Sequence, residues 1–193
     1  MYIPKDFEVT DRNEILAFIK ANAFGQLIST VEGRLFSSHI PFVVGNDGQS
    51  LICHIAKRNP QWKVIENQEV LIIFQGNHDY ISPSWYEAPG VPTWNYQTVH
   101  IYGKPQLITD TLKLKRIVED LTERYESAFD KQWKPEYKET LLDLVIGIEI
   151  QISEFQCKYK LSQNRSEDDR KNVIEALQKS GENQLSEAMK NEL

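Results

Sequence analysis

The sequence has few of the features that mark exported, membrane-spanning or disulfide-bonded proteins. Its two cysteines, Cys53 and Cys157, lie far apart and fit no metal-ligand spacing. Its apolar runs, such as 70–74, are too short to cross a bilayer. Charged residues within 5–8 stand where a signal peptide would be apolar. We therefore expect a cytoplasmic protein, without a membrane partner, whose cysteines are reduced and buried.

Basic charge and the common catalytic motifs are also scarce. The chain carries 22 Lys and Arg against 28 Asp and Glu, a formal charge of −6, which argues against broad nucleic-acid binding. Its four histidines form no H-x-H or H-x-x-x-H pair, so we predict no metal site. No G-x-S-x-G, Walker or G-x-G-x-x-G motif supports acyl transfer, P-loop chemistry or Rossmann dinucleotide binding.

The region from 25 to 108 has the pattern of short strands joined by tight turns. Turn signals stand at 32–33, 46–48 and 76–79, and the last of these predicts a break between two strands. Pro41 lies inside a strand pattern, so that strand is expected to be bent or to lie at a rim. Several short strands at such spacing predict an antiparallel barrel rather than a parallel sheet.

Helix signals flank this region. Asp11 and Glu14 predict the start of a first helix, and Asp110 or Thr111 the start of another. Lys134–Pro135 predicts a further helix reaching Val145, before a strand from 146 to 155 that 154–160 either continues or bends. We expect an α+β, mainly antiparallel domain over 1–165 and a helical extension over 166–193.

The densest polar cluster lies where a strand hands over to a short helix. His54, Lys57, Arg58, Asn59 and Gln61 surround that helix start. A helix N-terminus offers unpaired N–H groups and partial positive charge, so with Lys57 and Arg58 it could bind a phosphate. The alternative is a solvated basic turn with an ordinary helix cap.

Two further clusters could face a ligand. Ser38 and His39 precede Pro41 on the bent strand, although a cross-strand hydrogen-bonded pair is the alternative. Ser82, Trp85 and Tyr86 begin an aromatic loop that continues to Trp94, and such rings must cover a core, a partner or a flat ligand. A planar ligand and a dimer interface would suit them equally well.

A fourth cluster precedes the tail. Lys160, Gln163 and Arg165 are hydrogen-bonding side chains in one short segment. An amide can bind the carbonyl and N–H edge of a ring, and a cation can hold a phosphate. The alternative is a polar linker to the tail helix.

Together these clusters resemble the PaiB family, bacterial proteins described as FMN-binding negative transcriptional regulators. The resemblance runs in order from Met1 to about Arg165. Its motifs are MYIPKDF at the start, Ser38–Pro41, His54–Lys57, Asn59–Trp62, Tyr80–Tyr86, Val91–Tyr96 with Val99–His100, and Lys160–Arg165.

This resemblance implies a split β-barrel, the fold shared with pyridoxamine-phosphate oxidase and many flavin reductases. In such proteins two barrels pair, and the flavin lies between them, so a homodimer binding FMN is implied. The expected cofactor-binding residues are Ser38 and His39 on the flavin strand, His54, Lys57, Asn59 and Gln61 around the phosphate, Ser82, Trp85 and Tyr86 near the ring or the interface, and Lys160, Gln163 and Arg165 closing the site.

Three functions stay open at this point. The first is a transcriptional repressor that uses FMN as a redox sensor or structural element. The second is a flavin-dependent reductase or oxidase of a small molecule, with His39, His54 and His100 as candidate proton donors. The third is an interaction module that has lost flavin. No helix-turn-helix with a basic recognition helix is evident, so DNA binding by this chain lacks support from charge, and regulation could be indirect.

Overall fold

The computed structural model describes residues 1–131, 133 and 139–193. The strands of this part form a mainly antiparallel sheet in the order β2-β1-β5-β6-β7-β4-β3. The strands are β1 (Phe24–Val31), β2 (Arg34–Pro41), β3 (Val43–Val44), β4 (Ser50–Ala56), β5 (Val70–Ile81), β6 (Thr93–Ile108) and β7 (Val145–Lys160).

Four α-helices are present in the described chain. They are α1 (Arg12–Ala21), α2 (Thr111–Glu126), α3 (Glu167–Ser180) and α4 (Asn183–Lys190). The helix predicted from Lys134–Pro135 falls partly at 134–138, outside the described residues. Its later part is a 3-10 helix, Glu139–Leu144, and Val145 begins β7 instead of ending a helix.

Capping side chains begin the helices where the sequence indicated. The Asp11 carboxylate accepts the Glu14 N–H at 2.9 Å, and Asp110 accepts the Lys113 N–H at 2.8 Å. Such bonds satisfy amide groups that have no partner within the first helical turn. Gly181, with φ of +92°, ends α3 in the left-handed conformation that glycine adopts without a Cβ penalty.

The β1–β2 hairpin places a polar strand at the edge of the sheet. Glu32 and Gly33 both have positive φ, as a two-residue hairpin turn requires. The pairing runs from Val31↔Arg34 to Phe24↔Pro41, so Pro41 ends the edge strand, where its missing N–H removes no ladder bond. The predicted bent or rim strand is confirmed.

The turn predicted at 76–79 is wrong, because β5 continues through it to Ile81. A Cβ built on Gly76 would lie 2.8 Å from the Phe18 ring. This glycine therefore permits the close approach of an aromatic side chain and does not reverse the chain.

The chain divides into two compact units. The first comprises 1–18, 74–100 and 156–193, and the second comprises 19–73 and 101–155. Fully buried aliphatic side chains from alternate strand positions form the core of the second unit. They are Leu27, Leu51, Ile72, Ile101, Ile148 and Ile150.

The helices of 166–193 lie in the first unit. Their buried side chains include Val173, Leu177, Leu185 and Met189, spaced as one apolar face of each helix requires. The domain boundary expected at Arg165 stays a prediction. Within the described residues, none of the helices has the length and hydropathy needed to span a bilayer.

Candidate functional site

In the second unit, three of the predicted cofactor residues form one hydrogen-bonded network. The Ser38 hydroxyl donates to Gln61 Oε1 at 2.5 Å and accepts from Asn59 Nδ2 at 2.7 Å. The Gln61 amide, fully buried, donates to the Leu27 carbonyl at 3.2 Å and to Ser29 Oγ at 2.9 Å. The network fixes the strand β2 against the 3-10 turn Pro60–Lys63, whose N-cap is Asn59.

This arrangement gives Ser38, Asn59 and Gln61 a clear structural role. Every polar atom of the Gln61 side chain is satisfied by the protein, as burial demands. The three residues therefore shape the loop that carries Lys57, and direct contact with a cofactor stays a prediction for each of them.

Lys57 and Arg58 begin that loop with their charges exposed. The Lys57 N–H donates to the Leu144 carbonyl at 2.8 Å, and the Lys57 carbonyl accepts from Trp62 Nε1 at 2.9 Å. The main chain at Lys57 is thus held by one hydrogen bond at its N–H and another at its carbonyl. No carboxylate of the described chain forms an ion pair with either side chain, so both cations can receive an anion.

His54 lies on β4 directly opposite Gly147 of β7. Its Nδ1 is buried and has no hydrogen-bond partner among the described residues. Burial lowers the pKa of the imidazole, since the charged form loses hydration. An unpaired buried ring nitrogen three residues before Lys57 suits a polar ligand, and contact of His54 with the cofactor stays a prediction.

His39 is exposed on the edge strand β2, with its ring 6.3 Å from that of Phe24. Neither His39 nor His54 forms a hydrogen bond with the Ser38 network in the described part of the chain. The structure therefore joins three of the six second-unit candidates directly and places Lys57 on the loop that they support.

In the first unit, Lys160 ties the end of β7 to the start of β6. Its ammonium group donates to Thr93 Oγ1 at 2.7 Å and to the Trp94 carbonyl at 2.6 Å. Burial lowers its pKa, and the charges of Lys158 and Arg165 lower it further. Three cations thus lie near one another, and no carboxylate of the described chain pairs with any of them.

Arg165 is held against the aromatic loop that follows β5. Its guanidinium carbon lies 4.5 Å from the centroid of the buried Tyr86 ring, within cation–π distance. Its Nη1 donates to the Pro89 carbonyl at 3.3 Å. A Cβ on Gly90 would lie 2.6 Å from the Tyr86 ring, so this glycine lets the loop close on the tyrosine.

Ser162 lies next to the hydroxyl end of Tyr86 and has a left-handed backbone conformation, with a φ of +66°. Its Oγ accepts from Asn95 Nδ2 at 3.0 Å and lies 3.3 Å from the Tyr86 hydroxyl. The amide of Gln163 bonds the Leu161 N–H at 2.8 Å and the Tyr159 carbonyl at 2.7 Å. Gln163 therefore stabilises the unusual turn, and a bond from it to a flavin edge stays a prediction.

The loop and the strands on either side of it carry the other candidates of this cluster. Ser82 caps the 3-10 turn Pro83–Trp85 and lies 2.7 Å from the Ser84 hydroxyl. Trp85 is half-buried in that turn. Trp94 is 53% exposed, and its ring meets that of Tyr80 edge to face at 6.1 Å. Exposed rings of this size are available to a ligand or a partner.

Sequence reasoning missed two residues that organise this unit. The buried carboxylate of Asp169, in the first turn of α3, accepts the Glu87 N–H at 2.7 Å. Lys158 is about nine-tenths buried, and so are its sequence neighbours Cys157 and Tyr159. The sequence feature that could have pointed to Lys158 is a lysine flanked by residues of buried type.

The two cysteines agree with expectation. Cys53 and Cys157 are free and buried, and burial raises the pKa of both thiols, that of Cys157 to about 12. Both are therefore protonated and unreactive at neutral pH. The residues that the structure describes contain no group of histidine, cysteine and acidic side chains able to hold a metal ion.

Each unit, taken by itself, carries cationic residues that suit the phosphate group of a flavin. Lys57 and Arg58 in the second unit, and Arg165 in the first, carry positive charge that the described carboxylates do not neutralise. The orphaned Nδ1 of His54 adds an unsatisfied polar atom. These groups suit an anionic phosphate and the polar edge of a ring.

Comparison with protein families decides the classification. Residues 1–154 match the model described as "Putative FMN-binding domain". The chain belongs to this family. FMN, the cofactor expected from the sequence, is confirmed at the level of the family.

A curated relative supports the same assignment. "Protease synthase and sporulation protein PAI 2" of Bacillus subtilis (strain 168) is 41% identical over 207 aligned residues, covering 100% of this chain and 98% of the relative. The predicted membership of the PaiB family is thereby confirmed.

Solved structures confirm the predicted split-barrel fold. The flavocytochrome Anf3 from Azotobacter vinelandii superposes with a TM-score of 0.67 at 16% identity, covering 84% of this chain and 74% of its own. A structure described as "Putative Pyridoxamine 5'-phosphate oxidase" from Listeria innocua gives a TM-score of 0.51 at 18% identity, covering 76% and 96%. At such identities the likeness establishes the fold alone.

Proposed function

We propose that this protein is a homodimeric, FMN-binding negative regulator of transcription. The observation that carries the proposal is a set of cations without carboxylate partners, Lys57, Arg58 and Arg165, in a chain that belongs to an FMN-binding family. Such cations favour a phosphate ligand because charge-assisted hydrogen bonds are the strong ones. The regulatory role is what the resemblance to the PaiB family implies, and the relative named for protease synthase and sporulation is 41% identical to this chain.

In this proposal the chain's own side chains bind and orient the cofactor. Lys57 and Arg58 hold the phosphate on a loop that Gln61 fixes from beneath. In the first unit, Arg165 is oriented by Tyr86 and is a cation that can bind an anionic group of the cofactor. The bound flavin would supply redox chemistry, and the protein its position and electrostatic environment.

Exposed apolar side chains support the homodimer. Phe24, Leu35 and Phe36 are exposed on β1 and β2 of the second unit, and Tyr80 and Trp94 on the first. Aromatic residues are enriched in protein interfaces, where their burial contributes much of the binding energy. Sedimentation of Trp94→Ala and Trp85→Ala tests this point. We expect a weaker dimer, and intact dimers in both variants would place these rings outside the interface.

Regulation is proposed to act through a partner protein or a small molecule. The formal charge of −6 and the acidic first turn of α3, with Glu167 and Asp168, provide no concentrated positive surface for DNA phosphates. A gel-shift titration at low salt with the promoter regions of neighbouring genes tests this. Tight, sequence-selective binding by the purified protein would contradict the indirect route.

A flavin-dependent oxidoreductase is the second candidate function. Burial lowers the pKa of His54 and His100, which keeps both rings neutral near pH 7 and able to accept a proton. Oxidation of a nicotinamide cofactor by the FMN-loaded protein would favour this function, and its absence would favour the regulator. The free, buried cysteines fit the cytoplasm as the proposed compartment.

A further inference from the structure

Lys158 of β7 is a lysine with a buried side chain. The residue is 7% exposed, and its Nζ donates one hydrogen bond, to the Tyr2 carbonyl at 3.2 Å. Glu8 lies opposite Lys158 across an isolated β-bridge, but no carboxylate in the described ranges forms an ion pair with the ammonium group. An ammonium group without a carboxylate partner can form a charge-assisted hydrogen bond with an arriving anion.

Aromatic rings surround this ammonium group. Lys158 Nζ lies 5.6 Å from the centroid of Tyr2 and 5.3 Å from that of Tyr96. Cation–π attraction to the two rings stabilises the charge of Lys158 but accepts no hydrogen bond from its N–H groups. An ammonium has three donors, so two of them have no oxygen acceptor in the described chain.

A second cation lies on the same side of the strand. Lys160 is two residues further along β7, and alternate residues of a strand share a face. Its ammonium bonds the Trp94 carbonyl, and the proximity of Lys158 contributes to lowering the pKa of Lys160, after burial. The face therefore combines two positive charges with the rings of Tyr96 and Trp94.

Tyr2 forms the cover of Lys158, and it is weakly held. Its side chain is 83% exposed, and its carbonyl is the only oxygen that bonds Lys158 in the described residues. A neutral carbonyl is a weaker partner for an ammonium group than a carboxylate is. A ligand with a carboxylate and a flat ring could replace both the carbonyl and the ring of Tyr2.

We propose that Lys158, with Tyr96, forms a binding site for a small planar aromatic carboxylate. The carboxylate bonds Lys158 Nζ in place of the Tyr2 carbonyl, and the ring lies beside Tyr96. Neither Lys158 nor Tyr96 belongs to the residues proposed for FMN, whereas Lys160 on the same face does, so the two sites are told apart by titrating both ligands. The carboxylate site gives a flavin-binding regulator a second, small-molecule input.

Calorimetric titration of the full chain with sodium benzoate tests the proposal. Lys158→Met removes the charge and keeps the length of the side chain, and Tyr96→Leu removes the ring. Lys104→Met is the control, an exposed lysine on β6. We expect benzoate to bind the unchanged protein and Lys104→Met alike, and to bind each of the other two variants roughly tenfold or more weakly.

Three comparisons make the result decisive. Sodium acetate and inorganic phosphate should bind more weakly than benzoate, and equal or tighter binding of either would overturn a site for aromatic anions. Equal affinity of benzoate for Lys158→Met, or no binding to any form, would overturn the proposal. Thermal unfolding of each variant confirms that it is folded, and Tyr96→Leu supplies the test should Lys158→Met fail to fold.

The cofactor proposal is kept separate by titrating FMN in parallel. Lys158→Met should bind FMN as the unchanged protein does. Loss of FMN binding in this variant, with competition between FMN and benzoate, would assign the residue to the cofactor and overturn a second site. Failure of every form to bind FMN, with benzoate binding intact, would contradict the cofactor proposal and leave this inference supported.

Discussion

The guanidinium group of Arg165 rests on the ring of Tyr86, with 4.5 Å between the guanidinium carbon and the ring centroid. This contact joins the polar segment after β7 to the aromatic loop after β5, two clusters separated by more than seventy residues. It fixes a cation that would otherwise sample many rotamers, so less entropy is lost when Arg165 binds an anion.

Arg165→Ala is therefore expected to weaken FMN binding by about 1–3 kcal/mol, the range for losing a hydrogen bond to a charged group. Flavin fluorescence titration measures the change. Arg116→Ala removes an exposed arginine of α2 and should leave the affinity unchanged. Equal affinities for the two variants would remove Arg165 from the cofactor site.

Lys57→Ala is expected to weaken FMN binding by roughly 1–3 kcal/mol, because its exposed ammonium has no competing carboxylate in the described chain. Lys63→Ala, in the following 3-10 turn, is the matched control. The same titration serves both variants. Unchanged affinity in Lys57→Ala would show that the phosphate lies elsewhere.

Gln61→Leu is expected to lower the free energy of unfolding by about 1–3 kcal/mol for each buried group left unpaired. The groups concerned are the Leu27 carbonyl and the hydroxyl of Ser29, whereas the hydroxyl of Ser38 keeps its bond from Asn59. Urea denaturation measures the loss, with Gln106→Leu on the exposed side of β6 as the control. A stability equal to that of the control would show that the network contributes little.

The stability of the protein should fall on acidification through the range of histidine titration. Burial lowers the pKa of His54 in the folded state, whereas the unfolded chain titrates near 6.5. The unfolded state therefore binds more protons below about pH 6.5, so the free energy of unfolding is retained above that pH and falls below it.

Urea denaturation of His54→Gln between pH 5 and 8, in the usual range for histidine, checks this expectation. On acidification, the free energy of unfolding of the variant should decrease less than that of the unchanged protein. Part of the decrease should remain, because the pKa of His100 is lowered as well. His78→Gln, at an exposed position on β5, is the control. An undiminished decrease in His54→Gln would show that His54 is not the group responsible.

Local signals predicted much of the fold. The Asp11 cap and the Glu32–Gly33 turn each depend on the conformational preference of one or two residues, and the structure has both. Gly76 led to the wrong prediction of a turn, because a glycine can either reverse the chain or permit close packing. Only the position of Phe18 in the folded chain shows that Gly76 permits close packing.

The sequence predicted which residues belong to the candidate site, but it did not predict the contacts that these residues make. Residues near Lys57 and Arg165 were chosen for their chemistry, and both are cations without carboxylate partners in the described chain. The bonds of Gln61 to β1 and of Asp169 to Glu87 could not be foreseen, because each joins residues far apart in sequence. Such pairings depend on strand order and helix placement.

The visible absorption spectrum after incubation with FMN and removal of free cofactor tests the central claim most directly. We predict that the purified protein keeps the absorption bands of oxidised flavin through desalting, and that Lys57→Ala and Arg165→Ala keep less. A colourless protein at every FMN concentration would contradict the account, and the cations Lys57 and Arg165, which have no carboxylate partner in the described chain, would then require another ligand.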